Sequence, residues 1–342
     1  MKRIIKALPL ILALSGALSA TTARAEPVLE QGTRGFVDAL SAKGGPPIYT
    51  LSPTDARNVL LGAQSAPVAK LPARVEDRTF PVGPTGDVKV HIVKPAKKSA
   101  GLLPVVMYFH GGGWVLGDAA THDRLIREIA NGSDAAVVFV DYDRSPEARY
   151  PTAIEQAYAA TAYVAQHGKE LGIDPQRMAL AGDSVGGNMV AAVSILAKQR
   201  HGPKLRFQVM FYPVTDANFD DGSYQEFAEG PWLTKNAMKW FWDAYLPDAS
   251  KRKEITASPL QATIADLQGL PPALVITDEN DVLRDEGEAY AHKLMQAGVD
   301  VTAVRYLGSI HDFVMLNALS QTPAARAAIG QANSMLHREL HQ

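Results

Sequence analysis

Three short stretches of this chain carry residue types that can make and break an acyl bond. Gly182-Asp183-Ser184-Val185-Gly186 sets a serine between two glycines. A serine hydroxyl is a weak nucleophile until a base takes its proton and nearby donors receive the oxyanion that forms. A sharp strand-to-helix turn can present that hydroxyl at a helix N-terminus, and crowding in such a turn demands small residues two places before and two after. The second stretch is His110-Gly111-Gly112-Gly113-Trp114. Consecutive glycines let backbone N–H groups face a cavity with no side chain in the way, as an oxyanion requires. A tight turn or a phosphate loop is the competing reading. The dinucleotide fingerprint G-x-G-x-x-G fails, because from Gly111 its last glycine would fall on Leu116. The third stretch pairs a carboxylate with an imidazole. Asp281 lies in Asp278-Glu279-Asn280-Asp281, with Asp278, Glu279 and Asp285 as competitors, and His311 lies in Gly308-Ser309-Ile310-His311-Asp312-Phe313.

The pattern around these residues predicts how they are positioned. Continuous apolar runs at 104–109, 135–140, 177–181, 207–212, 273–277 and 301–306 read as strands covered on both faces. An alternating stretch at 88–93 and a shorter one at 79–82 flank a Gly-Pro-Thr-Gly turn and read as an antiparallel pair. Helical patterns at 121–131, 152–167, 184–200, 283–297 and 323–340 fill the gaps. This alternation predicts an α/β protein with a mostly parallel eight-stranded sheet and helices on both faces. Ligands of such sheets bind at the C-terminal strand ends. Ser184 falls just after the 177–181 run, and Asp281 and His311 just past the last two strands. The other histidines suit less special roles: His91, His201, His292, His337 and His341 as solvated or structural groups, His167 at a helix end, His122 as a cap. Two segments break the alternation. Residues 26–74 read as loops and short helices, and 216–270 interrupts the sheet. Within the latter, Met238, Phe241, Trp242 and Tyr245 make one apolar helical face, either packed on the core or lying over the site as a cap.

Composition narrows the class. Of 342 residues, 46% are hydrophobic and 20% charged, the balance of a globular protein. Zero cysteines exclude disulfides, thiolate nucleophiles and cysteine-bound metals. Residues 1–25 read as a signal peptide: a basic start at Lys2, Arg3 and Lys6, an apolar run of 13 residues over 8–20, and Ala23-Arg24-Ala25 as the cleavage site. The run is shorter than the ~20 residues of a membrane span. An exported protein, periplasmic or secreted, is expected, with no membrane span in its mature form. Four of the 34 basic residues and none of the 36 acids lie in this segment, so the remainder is acidic and ill-suited to nucleic acid. Oligomeric state, monomer or homodimer, stays open.

The chain order Ser184, Asp281, His311 is that of α/β-hydrolases rather than of trypsin-like or subtilisin-like proteases. From about residue 75 onward the chain resembles the hormone-sensitive-lipase-like branch of that superfamily, the bacterial serine esterases. His110-Gly-Gly-Gly-Trp114 is similar to its oxyanion motif. Gly182-Asp-Ser-Val-Gly-Gly187 resembles its nucleophile motif, Asp281-Val-Leu-Arg-Asp-Glu-Gly287 its acid motif and His311-Asp-Phe313 its histidine motif. Val185, Val282 and Asp312 stand where alanine, proline and glycine are usual, and Asp143 and Arg144 depart from the segment after the fourth strand. The resemblance implies an α/β-hydrolase fold. It also implies a helical cap built from 26–74 and 216–270, and a serine carboxylesterase acting on short- to medium-chain acyl esters. It implies Ser184 as nucleophile, His311 as base and Asp281 as its orienting acid. The N–H groups of Gly111, Gly112 and Val185 are the expected oxyanion hole, and no metal or cofactor is required. Trp114, Asp183, Trp232, Phe241 and Trp242 are candidates for the substrate pocket. A lipase, acyltransferase or amidase could use the same site, and a ligand-binding protein that lost catalysis could share the fold.

Overall fold

In the computed structural model, residues 26–97 and 101–342 are described. The eight strands form one sheet in the order β1-β2-β4-β3-β5-β6-β7-β8. They are β1 (Ala73–Phe80), β2 (Val88–Pro95), β3 (Leu103–Phe109), β4 (Ala136–Asp141), β5 (Ile173–Asp183), β6 (Phe207–Phe211), β7 (Ala273–Asn280) and β8 (Val301–Ile310). β2 runs antiparallel to both of its neighbours, and every other adjacent pair is parallel. The helices are α1 (Gln31–Lys43), α2 (Pro53–Ala63), α3 (Ala119–Ser133), α4 (Thr152–His167), α5 (Val185–Gln199), α6 (Gly222–Glu226), α7 (Lys235–Tyr245), α8 (Ile264–Leu267), α9 (Arg284–Gln296) and α10 (Pro323–His341). α3 and α10 pack together on one face of the sheet, and α4, α5 and α9 lie on the other. All of β3 is buried, as a strand covered on both faces must be. α5 is buried at thirteen of its fifteen residues, which is why its sequence shows no polar face.

Strand ends are where expectation and structure differ. β1 begins at Ala73 rather than 79, because Arg74, Glu76, Asp77 and Arg78 lie on an exposed sheet edge and leave no apolar signal to read. β7 and β8 run to Asn280 and Ile310, three and four residues beyond expectation. Their pairing shifts register between Asp278 and Asn280, which then pairs with Ile310. Asp281 and His311 are therefore the first residues beyond two adjacent strands. The residues expected to form a signal peptide, 1–25, lie outside those described. Among the described residues no helix is long and apolar enough to cross a membrane.

The two irregular segments meet above the C-terminal strand ends. Phe36 of α1 packs on Trp232 at 5.4 Å between ring centroids. Arg57 of α2 clamps the loops after β3 and β4: it donates to the carbonyls of Val115 (2.8 Å) and Ser145 (3.0 Å) and forms a two-point pair with Glu147. α7 starts on the side chain of Thr234, which accepts from the Ala237 N–H.

Candidate active site

Ser184 sits at the tip of the turn from β5 to α5 with φ 56° and ψ −121°. A non-glycine residue in this region is strained and persists only where its surroundings fix it. Here they do. The Ser184 N–H donates to the Phe211 carbonyl at 2.9 Å, and the Ser184 carbonyl accepts from Val214 at 3.1 Å and Asn188 at 3.2 Å. The turn brings backbones so close that a Cβ on Gly182 would lie 2.4 Å from the Gly186 carbonyl oxygen, and one on Gly186 would lie 2.0 Å from that of Phe109. This is the physical content of the glycine spacing around the serine.

Ser184 Oγ lies 2.9 Å from His311 Nε2, and His311 Nδ1 lies 2.7 Å from Asp281 Oδ2. Asp281 is held in turn by the Leu283 N–H, which donates to its Oδ1 at 3.0 Å. All three side chains are buried. Burial alone would lower the basicity of His311, but the carboxylates of Asp281 and Asp312 outweigh it and raise the imidazole to about 9. Asp312 Oδ1 stands 3.6 Å from His311 Nε2, while its Oδ2 accepts from the Trp232 indole N–H at 2.9 Å. Burial raises the Asp312 carboxyl above its ordinary value, against the pull of His311. Sequence reasoning marked Asp312 only as a departure from a motif; its place beside the base was not legible.

The serine opens on an apolar cavity of about 220 Å³. Pro47, Ile48, Tyr49, Val59 and Leu60 line it from the N-terminal segment, and Trp232, Leu233, Met238 and Phe241 line it from the insertion. Gly112, Gly113, Ser184, His311 and Asp312 form its polar floor.

Four expected residues take other positions. Gly111 does not face the cavity: its N–H donates to Asp183 Oδ1 at 3.2 Å, so it is spent behind the nucleophile. Gly112 and Gly113 border the cavity instead. Gly113 has φ 63°, and a Cβ there would fall 2.1 Å from the Phe241 ring. Asp183 is not a pocket residue. It is wholly buried, accepting from Tyr108 Oη at 2.6 Å and pairing with His122 Nε2 at 3.2 Å. Trp114 and Trp242 are also wholly buried. Trp114 stacks on Tyr245 at 3.9 Å and meets Trp242 edge-on at 5.0 Å, so the pair glues the glycine loop to α7 rather than lining the cavity. Trp232 and Phe241 do line it.

His122, expected to cap α3, has a larger part. Its Nε2 faces the Asp183 carboxylate, and its Nδ1 faces the Asp118 carbonyl at 3.2 Å and Thr121 Oγ1 at 2.9 Å. Burial disfavours its charged form, but Asp183 overrides that and raises its pKa, while the His122 imidazolium and Tyr108 hydroxyl hold Asp183 below the usual carboxylate range against the opposing effect of burial. His110 differs: burial and the neighbouring His122 push it down to about 4, and it stacks as a neutral ring on Tyr142 at 4.1 Å.

Among the described residues, one group has metal-ligand spacing: Asp278, Asp281 and His311, with ligand atoms within 4.8 Å of one another. His311 Nδ1 already meets Asp281 at hydrogen-bond length and Nε2 meets Ser184. The arrangement is that of a proton relay, and an ion between the carboxylates and the ring would break it.

Comparison with known proteins places this geometry in context. A family model described as alpha/beta hydrolase fold matches residues 106–315. The carboxylesterase NlhH of Mycobacterium tuberculosis is 41% identical over 270 residues, covering 78% of this chain and 83% of that protein. The carboxylic ester hydrolase LipN of the same organism is 39% identical over 269 residues, 77% of this chain and 70% of its own. A thermostable esterase from Pseudomonas putida ECU1011 superposes with a TM-score of 0.90 at 55% identity, covering 92% of this chain and 99% of that structure.

Proposed function

We propose that this chain, which belongs to the hormone-sensitive-lipase-like family of the alpha/beta hydrolase fold and is a carboxylic ester hydrolase, cleaves short- to medium-chain acyl esters through Ser184, His311, Asp281 and an acyl-enzyme. The observation that carries the reading is the unbroken relay from Ser184 Oγ to His311 (2.9 Å) to Asp281 (2.7 Å) at the floor of an apolar cavity.

The chemistry follows from that relay. Ser184 Oγ attacks the ester carbonyl carbon while its proton passes to His311 Nε2. Asp281 fixes the ring so that Nδ1 carries the other proton, and it stabilises the imidazolium. Charge moves to the carbonyl oxygen. In this reading the backbone N–H groups of Gly112, Gly113 and Val185 receive it, each contributing about 3 kcal/mol in the transition state, and the place of the two glycines on the cavity wall supports the assignment. His311 returns the proton to the leaving alkoxide. Water then attacks the acyl-enzyme with His311 again as base.

The cavity of about 220 Å³ supports short chains, since it is smaller than the ~300–1,000 Å³ of drug-sized ligand sites. The segments 26–74 and 216–270 act as the cap in this reading, because both contribute its walls. The basic start, apolar run and Ala23-Arg24-Ala25 support export to the periplasm or the medium, and N-terminal sequencing of the exported protein checks this through a start at Glu26. The decisive experiment is hydrolysis of p-nitrophenyl esters over a chain-length series by the wild type and Ser184→Ala. Turnover should peak at short acyl chains and fall by about 10⁴-fold or more in the variant. A peak at long chains would make the protein a lipase, and equal turnover by both proteins would remove Ser184 from the mechanism.

A further inference from the structure

Asp278 is a buried acid that the relay does not use. It lies on β7 at the point where the pairing with β8 changes register, and it is wholly buried. Among the described residues, neither of its side-chain oxygens has a hydrogen-bond donor. Its ligand atom lies within 4.8 Å of those of both Asp281 and His311. The titratable groups that face it are Asp281, on its own strand end, Asp312, beyond β8, and the His311 imidazole, and of these the two carboxylates raise it. Tyr212, beyond β6, faces the same region with a buried, unpartnered hydroxyl. An ionised carboxylate without a donor, beside a second carboxylate, is too costly to persist in such a place. A neutral carboxyl brings its own O–H, and the Asp281 carboxylate is the acceptor within reach. Asp281 spends one lone pair of Oδ2 on His311 and one of Oδ1 on Leu283, so each oxygen keeps another.

We propose that Asp278 is a positioning residue and reserve acid: it shares one proton with Asp281, steadying that carboxylate behind His311, and takes over the His311 Nδ1–H when Asp281 is lost. This rests on the reading of Ser184, His311 and Asp281 as the catalytic relay. Two carboxyls sharing one proton is a known consequence of placing like charges together in a buried site. Burial and the adjacent Asp281 charge raise the Asp278 carboxyl well above its usual range, in keeping with the geometry. In Asp281→Asn the neighbouring negative charge is gone and the new amide can donate. Asp278 then releases its proton to solvent more readily, and its carboxylate can accept from His311 after a small rotation of the ring.

The test compares four variants of the full chain on p-nitrophenyl acetate across a pH range. Asp281→Asn should keep at least about tenfold more kcat/KM than Asp278→Asn/Asp281→Asn, and this excess should grow with pH as Asp278 ionises, a response that mere space-filling would not give. Asp278→Asn alone, which preserves shape and a donor, should lose less than about tenfold. Infrared difference spectra at neutral pH should show a protonated-carboxyl band in the wild type that Asp278→Asn lacks. Superimposable pH profiles for Asp281→Asn and the double variant would overturn the proposal, as would the absence of that band. Ser184→Ala is the control. Turnover surviving in it would overturn the relay itself, a failure distinct from either of the others.

Discussion

Two buried histidine–aspartate pairs meet at the nucleophile turn. His311 with Asp281 touches Ser184; His122 with Asp183 contains the residue before it. Both combine an imidazole with a carboxylate in the interior, and in both the carboxylate raises the histidine against the effect of burial. They differ in what the second ring nitrogen meets. His311 Nε2 faces a hydroxyl that can give or take a proton. His122 Nδ1 faces the Asp118 carbonyl, which can only accept, and the Thr121 hydroxyl, whose own proton is given to that same carbonyl. With acceptors at both nitrogens, His122 is favoured as the imidazolium and is held as one half of an ion pair. The same two residue types thus make a proton carrier in one place and a fixed ion pair in the other. The fixed pair has a mechanical task. Asp183 holds His122 from α3, Tyr108 from β3 and the Gly111 N–H, so it ties the glycine loop to the strained serine turn.

The largest expected contrast is between removing the two rings. His311→Ala should lower kcat by about 10⁴-fold or more at a smaller cost in thermal stability, because the space the ring vacates joins the cavity and lets water reach the Asp281 carboxylate. His122→Phe should do the opposite. It leaves the Asp183 carboxylate buried without its counter-charge, a change that costs about 3–5 kcal/mol. Denaturant unfolding measures this, and activity should fall only as far as the glycine loop loosens. A stable, inactive His122→Phe would mean that the fixed pair acts in catalysis directly.

pH sharpens the same contrast. His122 has a folded pKa above its ordinary 6.5, so its contribution to stability is complete below that value and is lost as pH rises through the raised one. Asp183 has a folded pKa below its ordinary 3.8, so its contribution is present above that value and is lost as pH falls through the lowered one. The stability difference between wild type and His122→Phe should therefore be greatest between 3.8 and 6.5 and shrink on either side. Urea titrations at several pH values check this, and a difference independent of pH would show that shape alone is at stake.

How much of this was legible in the sequence depended on whether a residue works through local or distant partners. The serine turn announces itself because its steric demands fall within five consecutive residues, Gly182 to Gly186. The middle strands are legible because they are buried on both faces. Oxyanion geometry was legible only as far as the glycine run. Which of its N–H groups faces the cavity depends on Asp183, 72 positions from Gly111, and no local pattern carries that. Trp114, Trp232, Phe241 and Trp242 look alike in sequence, and only the packing of α7 divides them into core and cavity wall. His122 and Asp278 were invisible as partners because their contacts join elements distant in the chain or arise from a register shift between strands.

The smallest expected effect concerns Asp312, which adds a second carboxylate directly beside the mobile-proton pair and bears on His122 only as the weakest of its named influences. Asp312→Asn keeps the shape, tolerates the residue's positive φ of 68° and can still accept from the Trp232 indole. It removes only the negative charge 3.6 Å from His311 Nε2. That charge favours the imidazolium, and His311 must be neutral to take the proton of Ser184, so kcat/KM rises with pH as the ring loses its proton. Removing the charge lowers the His311 pKa and should move the acidic limb of the kcat/KM profile down by roughly one pH unit, with a gain of up to about tenfold on that limb and little change on the plateau. The same change should ease entry of esters bearing an acyl carboxylate, which Asp312 repels when ionised. An unmoved limb would mean that Asp312 carries its own proton in the free enzyme, consistent with the rise that burial gives it, and would leave Asp281 as the sole carboxylate setting the base.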